Sequence, residues 1–254
     1  VLAEQLGASA PVLSFHLKEL RHAELIDSEQ QGRFIIYRAR YDTMNALLHM
    51  TFSRKCGASA ALVVAPYYNR PSQDGLIAHF RRIAAATDRD VVIYNIPYRT
   101  AVNLSNDSLL ELAQVPNIVG VKDSSGSVEQ SLELLRRKPA DFAVLTGEDA
   151  LFFTMRANGA EGGILAASHL ATEGFVEVER CFRANDLSGA RKAWAPLAGF
   201  VPMLFAEANP MPIKHLLWRQ GLIASPECRL PLTKISDGLA RRLDAVFAEK
   251  KAAA

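Results

Sequence analysis

Two stretches of the sequence hold residue types that could do chemistry. "VVIYNIPYRT" at 91–100 runs an apolar, β-branched segment into Tyr94, and "IVGVKDSSG" at 118–126 runs another into Lys122. Runs of this kind fill buried parallel strands. An ammonium group buried without a partner is costly, so a strand that ends in lysine needs a reason. Desolvation pulls a lysine pKa toward neutrality, and the neutral amine can attack a carbonyl to form a Schiff base. A tyrosine beside it can carry protons during imine formation and carbon–carbon bond making. Arg99, on the loop after Tyr94, offers a planar fork suited to a substrate carboxylate. A lone lysine at a strand end is most simply a solvated cap. Its combination with Tyr94 and Arg99 favours chemistry.

The elements that must position these residues begin at Gly57. Strand candidates are "AALVVAPY", "DVVIYNIP", "NIVGVKD", "FAVLTGE" and "GGILAAS"; between them, segments such as "SQDGLIAHFRRIAAATD" and "SLLELAQVP" carry helical periodicity. Repeated strand-then-helix units predict an α/β fold, either a β/α barrel or an open doubly wound sheet. In a barrel, chemistry sits at the carboxyl ends of the strands. Tyr68, Tyr94, Lys122 and Gly147 all fall at or just beyond such ends and would meet at one mouth. Beyond Ser168 the pattern is mostly helical.

Residues 1–56 follow another pattern, and the boundary at 57 predicts two units, 1–56 and 57–254. "VLAEQLG" stops at Gly7, and "SAPVLSFHLKELRHAEL" restarts a helix with Ser9 as N-cap. "LIDSEQQGRFIIYRARY" gives two extended runs around a Gln-Gly turn. Helix–turn–helix–hairpin is the order of a winged helix, whose second helix enters the DNA major groove. Other features carry less. His169 and His215 read as structural, Trp194 and Trp218 as packing residues, and "NGAEGG" precedes a strand where a phosphate loop would follow one.

Composition sets outer bounds. The chain has 254 residues, 49% of them apolar, and a net charge of +2, so charge alone argues for neither a nucleic-acid nor a membrane-surface partner. Cys56, Cys181 and Cys228 are far apart and in no metal-ligand spacing, which predicts reduced thiols and a cytoplasmic location. No stretch approaches the ~20 apolar residues of a membrane span. The sequence opens inside a helical pattern without a methionine, an opening that predicts a fragment.

"APYYNRPSQDGLIAHF", "YNIPYRT", "VGVKDSSG", "LTGEDA", "EANPMPIK" and "RLPLTKISD" together resemble the dihydrodipicolinate synthase family over residues 57–254. The resemblance implies strands four to eight, with the C-terminal helices, of a (β/α)8 TIM barrel. It implies a lyase that condenses pyruvate with aspartate semialdehyde through a lysine Schiff base, in lysine and diaminopimelate biosynthesis. By motif, Lys122 would be the Schiff-base lysine, Tyr94 the proton-relay tyrosine and Arg99 the carboxylate binder. Tyr68 would serve a neighbouring subunit's relay in a homo-oligomer, and Gly147 and Ile164 would line the pyruvate pocket. No metal or organic cofactor is implied. The family's first three strands, and its paired-threonine glycine motif, find no counterpart in residues 1–56. Their absence predicts exposed sheet edges.

"LSFHLKEL" followed by "GRFIIYRA" resembles the winged-helix half of an ArsR-type repressor. That resemblance implies DNA contact through Ser14, His16 and Lys18 on the recognition helix and Arg33 on the wing. Residues 1–56 hold 7 Lys/Arg against 6 Asp/Glu, so any electrostatic footprint is weak. The alternative to the lyase is therefore a DNA-binding regulator carrying an inert partial barrel.

Overall fold

The computed structural model describes residues 57–252 together with residues 13–14, 17–18, 21, 26–31 and 34–39. In the first part, Leu13, Ser14, Leu17, Lys18 and Arg21 are helical, with Ser14 and Lys18 exposed. A hairpin follows: β1 (Ile26–Gln31) pairs antiparallel with β2 (Phe34–Ala39), from Ile26 opposite Ala39 to Gln31 opposite Phe34. His16 and Arg33, two of the predicted DNA contacts, lie outside the described residues.

The remainder is an α/β unit built on one parallel sheet, in the order β3 (Ala60–Val64), β4 (Asp90–Asn95), β5 (Ile118–Asp123), β6 (Ala143–Thr146) and β7 (Gly162–Gly163). The period of two that β-branched strands impose sorts their residues onto two faces. Val63, Ile93, Val121 and Val144 lie on the face covered by helices and are at most 1% exposed. Against them pack α1 (Gln73–Ala85), α3 (Asn106–Leu112) and α4 (Val128–Arg137), through Leu76, Phe80, Ile83, Leu109, Leu112 and Leu134. Each of these helices starts at a serine N-cap, Ser72, Ser105 or Ser127, whose hydroxyl accepts a first-turn amide that would otherwise be unpaired. A short turn, α2 (Pro97–Thr100), follows β4.

The opposite face is open. Leu62 is exposed, and Val64, Val92, Tyr94, Lys122 and Leu145 are half-buried. Among the described residues β3 and β7 form the two edges of this sheet.

One strand is shorter than its sequence suggests. "GGILAAS" forms only the two-residue β7, with Ile164 N adding a bond to Thr146 O at 2.9 Å. Beyond it the Asp149 carboxylate accepts the Ala167 amide at 2.6 Å, and the chain turns into a 3-10 segment, Ala167–His169. A side chain has taken a backbone donor that a ladder would otherwise claim.

After β6, a 3-10 turn (Asp149–Leu151) leads into α5 (Phe152–Ala157). The C-terminal part is helical, as predicted: α6 (Thr172–Arg183), α7 (Leu187–Phe200), α8 (Met211–Arg219) and α9 (Asp237–Ala252). They enclose a second apolar cluster that includes Phe152, Phe175, Leu197, Leu204, Leu216 and Leu243. Trp194 packs against the rings of Phe152, Phe153 and Phe175, the structural role expected of it. His215 Nε2 lies 3.0 Å from Asp244 Oδ1, tying α8 to α9. No helix among the described residues is long and apolar enough to cross a membrane.

Candidate active site

Tyr94 and Lys122 are register partners on neighbouring strands, each one residue before its strand ends. Parallel pairing points both side chains to the open face of the sheet. Lys122 Nζ stands 4.0 Å from the centre of the Tyr94 ring. Burial pushes the Lys122 amine below its ordinary value; the carboxylates of Asp149 and Glu148 oppose that shift, and Arg99 assists it. Contact with the ring face favours the ammonium form and moderates the shift. Burial raises the Tyr94 phenol, against the Ser124 side chain and Arg99, which lower it. The result is an amine closer to neutrality beside a phenol that keeps its proton.

The loops after these strands are pinned. Asn95 is fully buried; its amide donates to Asn103 Oδ1 at 2.8 Å and its carbonyl oxygen accepts from Leu104 N at 3.1 Å. Thr100 Oγ1 donates to Ile96 O at 3.0 Å, holding the turn that carries Arg99. The Arg99 guanidinium reaches Asn209 O at 3.4 Å. On the next strand, Asp123 turns to the helix side, where it accepts from Ser125 N at 2.9 Å and from the Ser131 hydroxyl. Ser124 N donates to Asn95 O at 2.8 Å, and Gly147 N to Asp123 O at 2.7 Å. The ends of β4, β5 and β6 are thus stitched into one rim.

Gly147 meets the lysine directly. A Cβ there would lie 2.1 Å from Ser124 Oγ and 2.7 Å from Lys122 Cε, so only glycine leaves the amine its space. A cleft of about 590 Å³ opens beside this rim, lined by residues that include Tyr98, Arg99, Gly147, Glu148, Glu207 and Asn209. The structure therefore brings Tyr94, Lys122 and Gly147 together and sets Arg99 on the neighbouring cleft wall. Ile164 is 40% exposed and continues the rim beyond β7. Tyr68, just after β3, is 90% exposed and has a left-handed φ of 71°.

Sequence reasoning passed over three residues. Glu148 and Asp149 follow Gly147, and both carboxyls are raised above their ordinary values, mainly by burial. The "GED" triplet after a strand was the available signal. Ser124 is fully buried, and its side chain acts on both the Tyr94 phenol and the Glu148 carboxyl. Nothing in "KDSSG" distinguishes that serine from Ser125.

Comparison with known proteins agrees with this geometry. The dihydrodipicolinate synthetase family model matches residues 41–250, starting upstream of the predicted boundary at 57. The chain is 47% identical over 190 residues to 4-hydroxy-tetrahydrodipicolinate synthase 2 of Clostridium acetobutylicum, a match that takes in 75% of this chain and 66% of that protein. It is 42% identical over 195 residues to the corresponding synthase of Laribacter hongkongensis, covering 77% of this chain and 67% of that one. The chain thus spans about two thirds of the length of these relatives. Among solved structures it resembles dihydrodipicolinate synthase from Aquifex aeolicus, with a TM-score of 0.77, 36% identity, and coverage of 81% of this chain and 70% of that one. The chloride-inhibited enzyme from Acinetobacter baumannii, solved with pyruvate, superposes with a TM-score of 0.76 at 36% identity, covering 80% of this chain and 69% of that one. A parallel sheet with a lysine and a tyrosine paired at its rim, and a family match over most of the length, lead to one statement: the chain belongs to the dihydrodipicolinate synthetase family.

Proposed function

We propose that this chain is a Schiff-base lyase that condenses pyruvate with aspartate semialdehyde, the 4-hydroxy-tetrahydrodipicolinate synthase reaction of lysine and diaminopimelate biosynthesis. The observation that carries the reading is the half-buried Lys122 amine, 4.0 Å from the Tyr94 ring centre in a row set by strand register. The neutral amine adds to C2 of pyruvate and loses water to give an imine. The imine acidifies the adjacent methyl group, and the resulting enamine attacks the aldehyde. Tyr94, kept protonated by burial, moves protons at the lysine nitrogen and at the new hydroxyl. Arg99, on the cleft wall, suits the semialdehyde carboxylate. The amides of Gly147 and Ile164 are bonded to neighbouring strands, so Gly147 shapes the pyruvate pocket by its lack of a side chain, and both residues offer their carbonyls. The outward Tyr68 suits service to a neighbouring subunit's site in a homo-oligomer. The chemistry needs no metal or organic cofactor.

Pyruvate with cyanoborohydride tests this. Intact mass and peptide mapping are expected to find one reduced adduct, confined to Lys122. A cooperatively folded protein that gives no adduct overturns the reading.

The hairpin favours a second reading for residues 1–56. Its strands follow helical residues whose Ser14 and Lys18 are exposed, and Arg21 Nη1 reaches across to Ser28 Oγ at 3.4 Å. In this reading an ArsR-type winged helix contacts DNA through Ser14, His16, Lys18 and Arg33, and the sheet domain is inert. A mobility shift that weakens with added salt and with Lys18→Ala is its expected signature, because phosphate contacts release counterions. A chain that leaves duplex DNA unshifted at low salt removes it.

A further inference from the structure

We propose that a closed circuit of side-chain amides, from Asn95, Asn103 and Gln130, positions Arg99 for the second substrate. This rests on the lyase reading, in which Arg99 takes the semialdehyde carboxylate, and adds positioning residues to it. Asn95 Nδ2 donates to Asn103 Oδ1 at 2.8 Å, and Asn103 Nδ2 donates in turn to Gln130 Oε1 at 2.8 Å. Gln130 Nε2 donates to Leu104 O at 2.8 Å, and Leu104 N donates back to Asn95 Oδ1 at 3.1 Å. Each corner of the circuit gives one hydrogen bond and accepts one. An ionised carboxylate or an apolar side chain at any of the side-chain corners would open it. Asn95 is fully buried, so its amide has no water to turn to if the circuit is broken.

The circuit closes the loop that carries Arg99. Asn95 is the last residue of β4, and its side chain grips the chain again at Asn103 and Leu104, on the far side of Arg99. Within the loop, Thr100 Oγ1 lies 3.0 Å from both Ile96 O and Val102 O, and Ala101 ends α2 at a left-handed φ of 60°. A loop fixed at both ends and braced inside holds its middle residue in one place. Arg99 depends on that support because its own side-chain contacts are light. Its guanidinium lies 5.4 Å from the Tyr98 ring centre and meets Asn209 O at a long 3.4 Å.

The last corner comes from outside the loop. Gln130 lies in the first turn of α4, where its own amide donates to the Ser127 N-cap hydroxyl at 3.2 Å. The start of that helix therefore fixes the far side of the circuit. Arg99 lines the cleft, whereas Asn95, Asn103 and Gln130 stand outside its lining, so they act through Arg99 and not on substrate. Lys122 is placed separately, by the pairing of β5 with β4 and β6. The geometry thus separates the two substrates: opening the circuit disturbs the carboxylate fork and leaves the imine-forming amine in its row.

The experiment measures steady-state constants for pyruvate and aspartate semialdehyde, with cyanoborohydride trapping of pyruvate, for the parent protein, Asn103→Ala, Gln130→Met and Asn106→Ala. Asn103 is exposed and Gln130 half-buried, so neither change empties the core. Asn106 Nδ2 also joins α3 to α4, through Gln130 O at 3.0 Å and Glu133 Oε2 at 2.8 Å, but lies outside the circuit. Its variant controls for simple loosening. Asn103→Ala and Gln130→Met are each expected to raise KM for the semialdehyde roughly 10-fold, the scale of one weakened hydrogen bond to a charged group. The KM for pyruvate and the rate of trapping at Lys122 are expected to stay at the parent's values. Asn106→Ala is expected to lower the thermal midpoint and keep both KM values. A parent KM for the semialdehyde in either circuit variant, or an equal rise in Asn106→Ala, overturns the proposal and leaves the lyase reading intact. Trapping that falls in step with the rise in KM overturns it too, because the circuit would then serve the whole rim. A parent that fails to trap pyruvate or to consume the semialdehyde overturns the lyase reading, and this proposal with it.

Discussion

Lys122→Met is expected to abolish the pyruvate adduct and to lower condensation roughly 10⁴-fold or more, the scale seen when an enzyme loses its nucleophile. The same change is expected to leave the protein as stable as before, or more stable. Lys122 sits half-buried, and its amine is held below the ordinary value near 10.5 chiefly by that burial. Between the lowered folded value and the ordinary unfolded one, the unfolded chain binds more protons, so stability rises with pH across that window. Below it the parent carries the full cost of a partly buried ammonium; above it the cost is gone. The methionine variant carries none at any pH and keeps an unbranched chain of similar length against Tyr94 and Gly147. Its advantage in thermal midpoint should therefore be largest near neutrality and shrink as pH approaches 10.5. A variant less stable than the parent at pH 7, with the gap closing as the lysine loses its proton at higher pH, would show that the lysine is a structural cap.

Gly147→Ala is the second large effect, and it is steric. The backbone there is not left-handed, so alanine can adopt it. What fails is space: the added carbon would stand 2.1 Å from Ser124 Oγ and 2.7 Å from Lys122 Cε. Ser124 cannot retreat readily, because its amide is bonded to Asn95 O and its side chain is fully buried. The lysine chain has the freedom to yield, and its amine then leaves its place over the Tyr94 ring. A displacement of about 1 Å costs on the order of 100-fold in rate. Stopped trapping of pyruvate is expected to slow by at least that factor, with the adduct still mapping to Lys122. Pairing Gly147→Ala with Ser124→Ala removes the shorter contact, so the double variant should recover stability without recovering the trapping rate. Normal trapping by the single variant would mean that Gly147 does not bound the working position of the amine.

The strands were legible where apolar runs were long. β4 and β5 fall inside the predicted segments because alternating Val and Ile residues have one consistent way to bury a face against helices. The C-terminal strand was the exception, since the competing acceptor for its backbone amide, the Asp149 carboxylate, lies 18 residues from Ala167 in the chain. Lys122, Tyr94 and Arg99 could be picked out from type and position at strand ends. Tyr68 shared that position in sequence, yet it is exposed to solvent, on a left-handed backbone that no linear pattern records.

By itself the sequence determined that a lysine and a tyrosine end neighbouring apolar strands, and that their motifs resemble one family of lyases. Those are matters of local periodicity and residue type, which a linear pattern records. Only the tertiary structure decided that the two side chains share a register, that Gly147 leaves room for the amine, and that Ser124 and Glu148 are drawn in beside it. Each of these depends on atoms brought together from different strands. Their consequence, a lysine moved toward neutrality, arises from the solvent those atoms exclude.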